Sequence, residues 1–331
     1  MRITRETLIR IAKETAQKRA LSDPGLVAAY LTGSLRTENP FLGNSTDIDI
    51  VFVHTGQVEV SREILPLTPE VHLDLVHRPR SDYDKPKELR LDPWLGPELY
   101  DPLPLYVTHH FFEFVQAGVR AEYHDPANIL TRARRNADHA RQVWSEIQTS
   151  QEYNPALLLS YLESVSLAAN SIAVLNGDPL AERRFLLQFP ARAEAVGAPG
   201  LAAGLLGLLS EDQVDAAALG RFLPAWENAF LDAASRPRVH ASIAAPRLTY
   251  YKQVFESMLA GESPWSVVWP LIHTWTLSAA VLPPTRRSGW QTACETLGLT
   301  GGAFNGQLDR LDHFLDTIEE ILENMAASQG L

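Results

Sequence analysis

The chain has 331 residues, 45% of them apolar and 21% charged, which fits a globular protein with a sizeable core and two domains of roughly 100–200 residues each. Its formal net charge is −11, with 14 Lys and Arg against 19 Asp and Glu up to Ala127, and 15 against 21 beyond it. Neither part can neutralise a long stretch of phosphates, which argues against a duplex-binding protein. The single cysteine, Cys294, excludes an intrachain disulfide and any Cys-rich zinc site.

The N-terminal segment "MRITRETLIRIAKETAQKRA" is charged throughout and has no apolar signal core. No apolar stretch reaches the roughly 20 residues of a membrane span, so a cytoplasmic location without membrane contact is expected. Leu8, Ile9, Ile11 and Ala12 predict a first helix over 5–20. "DPG" at 23–25 is a turn, and "LVAAYL" is a short strand running into Gly33-Ser34. "DIDIVFV" predicts a second strand, with Ile48, Ile50 and Phe52 on one face and Asp47, Asp49 and Val51 on the other. "EVHLDLVHR" predicts a third, in which Val71, Leu73 and Leu75 alternate with His72, Asp74 and Val76. The proline-rich residues 79–104 read as loop, and "GVRAEYHDP" (118–126) as a last strand. The expected sheet is small and mixed, with helices on one face.

Beyond residue 127 the strand signals fade. "NPALLLSYLESVSLAANSIAVLNG" begins with a good N-cap, Asn154, and Pro155 at the first helical position, and Gly177 marks its expected end. Its apolar residues cover most of the circumference, which predicts a central helix. "SPWSVVWPLIHTWTLSAAVL" has a similar start, with Pro270 expected to kink or break it. A final helix over about 303–327 carries Leu308, Leu311, Leu315, Ile318, Leu322 and Met325 at bundle spacing. The fold class expected is α+β, an N-terminal domain over 1–127 followed by an all-α bundle over 128–331.

Two aspartates on one face of a strand are costly unless a cation lies between them. Asp74, on a strand with apolar neighbours, is equally hard to explain as core. Gly33-Ser34 ends the preceding strand, where backbone N–H groups and a hydroxyl can hold a phosphate. Together these features suit a two-metal site for phosphoryl or nucleotidyl transfer.

"GSLRTENPFLGNSTDIDIVFV" with "HLDLV" resembles the signature of the polymerase-β-like nucleotidyltransferase superfamily: Gly-Ser, a spacer, Asp-hydrophobic-Asp, and a carboxylate on a later strand. The motif covers residues 30–76, and the appended helical domain is similar to that of antibiotic (aminoglycoside-type) nucleotidyltransferases. The spacer is longer than usual, with Arg36 to Pro40 inserted before Gly43. The resemblance implies that Gly33 and Ser34 meet the triphosphate of ATP or another NTP. It also implies that Asp47 and Asp49 bind Mg2+, and that Asp74 binds a second ion and helps activate an acceptor hydroxyl.

Several further residues are candidates. Arg36 and Lys252 could reach the nucleotide. Glu163 and Asn170, on a polar stripe with Ser160 and Ser164, could face the acceptor. Trp265, Trp269 and Trp275 could stack a base, although their near-helical spacing suits a core better. Arg132, Arg134, Arg135 and Arg141 with His139 are loosely similar to an Arg-plus-His ribonuclease pattern, but a solvated basic helix is the simpler reading.

The function expected is transfer of a nucleoside monophosphate to a small hydroxyl compound, without nucleic acid. A protein-modifying, antitoxin-like enzyme and a non-catalytic nucleotide-binding module are the alternatives, and a homodimer is compatible with either.

Overall fold

The computed structural model describes residues 3–108, 110–149, 152–210 and 214–331. The chain is α+β and divides into two compact units, Met1–His124 and Asp125–Leu331.

The first unit runs α1 (Arg5–Ser22), β1 (Leu26–Leu31), a 3-10 turn (Gly33–Arg36), β2 (Thr46–His54), β3 (Arg62–Pro66) and β4 (Val71–Pro79). It continues with α2 (Pro86–Leu89), α3 (Leu95–Tyr100), β5 (Leu103–Val107) and α4 (Phe111–Arg120). The five strands form one sheet in the order β3-β4-β2-β1-β5. Only β2 and β4 are parallel; the other pairs are antiparallel, so the sheet is mixed.

Side-chain alternation gives the sheet two apolar faces. On one, Ala29, Leu31, Ile48, Ile50, Phe52 and Leu75 pack under α1. The α1 residues Leu8, Ala12 and Ala16, four apart, present a mostly small-residue stripe that lets the helix lie close. On the other face, Ala28, Tyr30, Val51 and Val53 are covered by Leu99 of α3 and by Phe112, Val115 and Val119 of α4. Helices therefore cover both faces, not one, because β1 and β2 are apolar on both sides.

Two strand and loop assignments in this unit also differ from the structure. Residues 118–126 are the end of α4, a turn and the first residue of the next helix, not a strand. Phe112, Val115, Val119 and Tyr123 are buried at helical spacing, and that period overrides the β-propensity of Val and Tyr. Residues 79–104 hold a second 3-10 turn, α2, α3 and the start of β5 rather than loop. β5 contains Pro104, which is tolerated because the strand lies at the sheet edge.

The second unit consists of α5 (Pro126–Gln148), α6 (Pro155–Ala173), α7 (Phe185–Ala195), α8 (Gly200–Gly207), α9 (Ala216–Ala234), α10 (Arg247–Leu259), α11 (Val268–Val281), α12 (Ser288–Thr296) and α13 (Gly301–Gln329). No strand occurs among its described residues. Asn154 caps α6 by accepting hydrogen bonds from the Ala156 and Leu157 N–H groups at 2.9 and 3.0 Å. The helix ends at Ala173, before Gly177. Against the expectation from sequence that no apolar stretch reaches a membrane span, this helix is long and apolar enough to cross one, yet it is mostly buried within its unit.

Arg141 of α5 binds Asp312, Asp316 and Glu319 of α13, fixing those two helices. The stretch before Pro270 is a 3-10 segment, Pro264–Val267, and the α-helix begins only at Val268, so Pro270 does not interrupt α11. It sits in the first turn, where its missing N–H has no intrahelical acceptor to lose.

Candidate metal centre

β2 turns Ile48, Ile50 and Phe52 into the core beneath α1, so Asp47 and Asp49 project from the opposite face. β4 runs parallel to β2 with Asp74 in register with Asp49 and His72 with Asp47. Residues in register share a face, so the third carboxylate joins the first two. One oxygen from each of Asp47, Asp49 and Asp74 lies within 4.8 Å of the others. Asp47 is 7% exposed and Asp74 1%. Carboxylates this close and this desolvated repel one another strongly unless positive charge enters.

Part of that charge is built in. Arg62 of β3 grips Asp74 with both arms of its guanidinium: Nε donates to Oδ1 at 2.7 Å and an Nη to Oδ2 at 2.6 Å. The fork matches a carboxylate in geometry as well as in charge. Glu63, the next residue, points to the other face and accepts from His77 Nε2 at 2.8 Å, and His77 in turn meets His54 at 2.9 Å. Burial pushes the His77 imidazole below its usual pKa, against the opposing pull of Glu63. β3 is thus pinned on both sides of the sheet.

Gly33 closes the site on its other flank. Its φ is +69°, and a Cβ there would lie 1.8 Å from Asp49 Oδ2 and 2.7 Å from its Cγ. Both the backbone conformation and the space require glycine. The Thr32 N–H donates to the Asp49 carbonyl at 3.0 Å, tying the turn to β2. Ser34 Oγ lies 3.3 Å from Thr46 Oγ1, at the start of β2. The turn is a single four-residue 3-10 stretch, anchored by buried Leu35, with Arg36 half-buried on it.

The long spacer after it is folded back on itself. Leu42 and Ser45 exchange two backbone hydrogen bonds of 3.1 Å around Gly43 and Asn44. Both central residues have positive φ (58° and 61°), the geometry of a tight primed turn.

The other candidates lie in the second unit. Lys252 Nζ is held by both oxygens of Glu227 at 2.9 and 3.0 Å. Asn170 is fully buried and structural: its Nδ2 donates to Ser166 O at 2.9 Å and its Oδ1 accepts from the Leu180 N–H at 2.7 Å. Glu163 is exposed on α6, whereas Ser164 beside it is buried and bonded to Ala140 O, so the polar stripe is not one solvated face. Trp269 and Trp275 are core; Trp265 is exposed. Arg134, Arg135 and His139 are solvated, while Arg132 is buried and Arg141 is the clamp on α13.

Sequence reasoning missed Arg62, and it did not assign a role to His72, buried on the triad's face opposite Asp47. The alternation of Asp74 with Leu73 and Leu75 gave no hint of the arginine, because its strand is not itself periodic.

The three carboxylates that group among the described residues offer anionic oxygen donors, which suit a hard divalent cation such as Mg2+ or Mn2+ better than a thiophilic one. No family model matches the chain, and no curated protein sequence matches it. Among solved structures, a nucleotidyltransferase-like protein from Exiguobacterium sibiricum 255-15 aligns over 94% of this chain and 91% of its own length, at 11% identity and a TM-score of 0.28.

Proposed function

We propose that the chain is a Mg2+-dependent nucleotidyltransferase. It moves a nucleoside monophosphate from ATP, or another nucleoside triphosphate, to a hydroxyl of a small molecule and releases pyrophosphate. The observation that carries this reading is the convergence of Asp47, Asp49 and Asp74 beside a turn that only glycine can make.

Asp47 and Asp49 would hold the cation, and the absence of a side chain on Gly33 leaves Asp49 its position. A bound Mg2+ would supply charge stabilisation at the reacting phosphate and orient the triphosphate. Ser34 and the amides of its turn would hydrogen-bond phosphate oxygens, with Arg36 on the same turn adding positive charge. The acceptor hydroxyl attacks the α-phosphorus in line. Its new O–P bond forms as the bond to pyrophosphate breaks, and its proton leaves toward the carboxylate cluster.

The net charge of −11 favours a small acceptor over a polyanionic primer, and a cationic, aminoglycoside-like compound suits it well. Lys252 and Asn170 take no part in this proposal, since both are committed to structural partners.

Mass spectrometry of reactions containing ATP, Mg2+ and a panel of hydroxyl compounds tests the proposal. A product heavier by one nucleoside monophosphate supports it, provided Asp49→Asn removes the product. Efficient extension of an RNA or DNA primer would instead contradict the small acceptor.

A further inference from the structure

The bidentate grip of Arg62 on Asp74 does more than hold a strand in place. Asp74 is 1% exposed, so its charge must be met from within the protein, and the guanidinium meets it at 2.7 and 2.6 Å. An ionised carboxylate offers about four lone-pair positions, and the fork takes two of them. β3 is the edge strand of the sheet, and the Arg62 side chain remains 42% exposed. The cation therefore reaches the cluster from the rim.

The geometry points to Arg62 as a built-in substitute for a second metal ion, so that the centre takes one divalent cation, at Asp47 and Asp49, rather than two. This inference rests on the cluster being a cation site. Counted over these four groups alone, three carboxylates and one guanidinium carry two net negative charges, which match one divalent ion better than two. A second divalent ion at Asp74 would have to displace the fork or sit beside a fixed positive charge in a poorly solvated site, and like charges at that range repel strongly. Arg62 is here a positioning residue: it fixes Asp74 and sets the number of ions, without touching the reacting atoms. Lysine in its place keeps the charge but loses the fork.

Mn2+ is the probe, titrated into the full-length, nucleotide-free protein and followed by electron paramagnetic resonance. Wild type should bind one Mn2+ per chain with a mononuclear signal, and Asp49→Asn should lose it. Arg62→Gln should admit a second ion and give an exchange-coupled spectrum, as expected for ions about 4 Å apart. Arg62→Lys should stay mononuclear.

Two coupled ions in wild type overturn the inference without recourse to any variant, and so does a single ion in Arg62→Gln with an unchanged melting profile. If wild type and Asp49→Asn alike bind no Mn2+, the cation-site reading itself falls, and this inference with it. One ion bound by wild type but two coupled ions in Arg62→Lys would show that geometry rather than charge sets the count, which also overturns the proposal as stated.

Discussion

A Cβ on Gly33 would lie 1.8 Å from the carboxylate oxygen Oδ2 of Asp49, so the Asp49 side chain keeps its place only because residue 33 has no side chain. Gly33→Ala should therefore act twice. The left-handed backbone at φ +69° costs an L-residue roughly 1–2 kcal/mol, and the added methyl must push Asp49 out of the cluster. The expected outcome is a lower Tm together with weakened Mg2+ or Mn2+ binding. Unchanged cation affinity would show that the approach of Gly33 to Asp49 has no part in the site.

The aspartates should separate by stability. Asp49→Asn removes one of three crowded carboxylates, so the cation-free protein should be as stable as wild type or more so. Asp74→Asn breaks the fork with Arg62 inside a buried setting. The loss should be about 1.5–3 kcal/mol, the range for hydrogen bonds to charged groups, limited by the exposure that lets Arg62 rehydrate. Denaturant titrations of both variants without added metal check the contrast, and equal destabilisation would contradict it.

Acid should probe the helical unit. Glu182 accepts from Tyr251 at 2.7 Å and pairs with His273 at 2.6 Å. Burial alone would raise its carboxyl, but His273, the Tyr251 hydroxyl and Arg247 outweigh burial and hold it down to about 2. A folded-state pKa below the unfolded value means stability that is fully present above about 4.5 and lost as pH falls toward 2. Against wild type, Glu182→Gln should be less stable near neutrality, and the gap should close through that window. A gap independent of pH would rule out the pairing.

Much of this site is legible in the chain because it follows strict alternation. Asp47 and Asp49 interrupt an apolar run at a spacing of two, and Asp74 sits between Leu73 and Leu75, so faces can be assigned from sequence alone. Arg62 could not be found that way. β3 is a five-residue edge strand in which no residue is fully buried, so it lacks a hydrophobic period. Its register with β4 exists only once the sheet has formed.

The strand expected over 118–126 failed for a similar reason: Val119 and Tyr123 favour strands individually, but their spacing from Phe112 and Val115 is helical. Lys252 and Asn170 looked available in sequence because their partners, Glu227 and the Leu180 amide, are 25 and 10 residues away.

The central claim is tested most directly by comparing ATP labelled at the α-phosphate with ATP labelled at the γ-phosphate. Each is incubated with the protein, Mg2+ and the hydroxyl panel. Transfer of the α-label to an acceptor, with the γ-label recovered in pyrophosphate and neither reaction seen with Asp49→Asn, is the predicted result. Transfer of the γ-label, or α-label transfer that survives Asp49→Asn, would contradict nucleotidyl transfer at the Asp47, Asp49 and Asp74 centre.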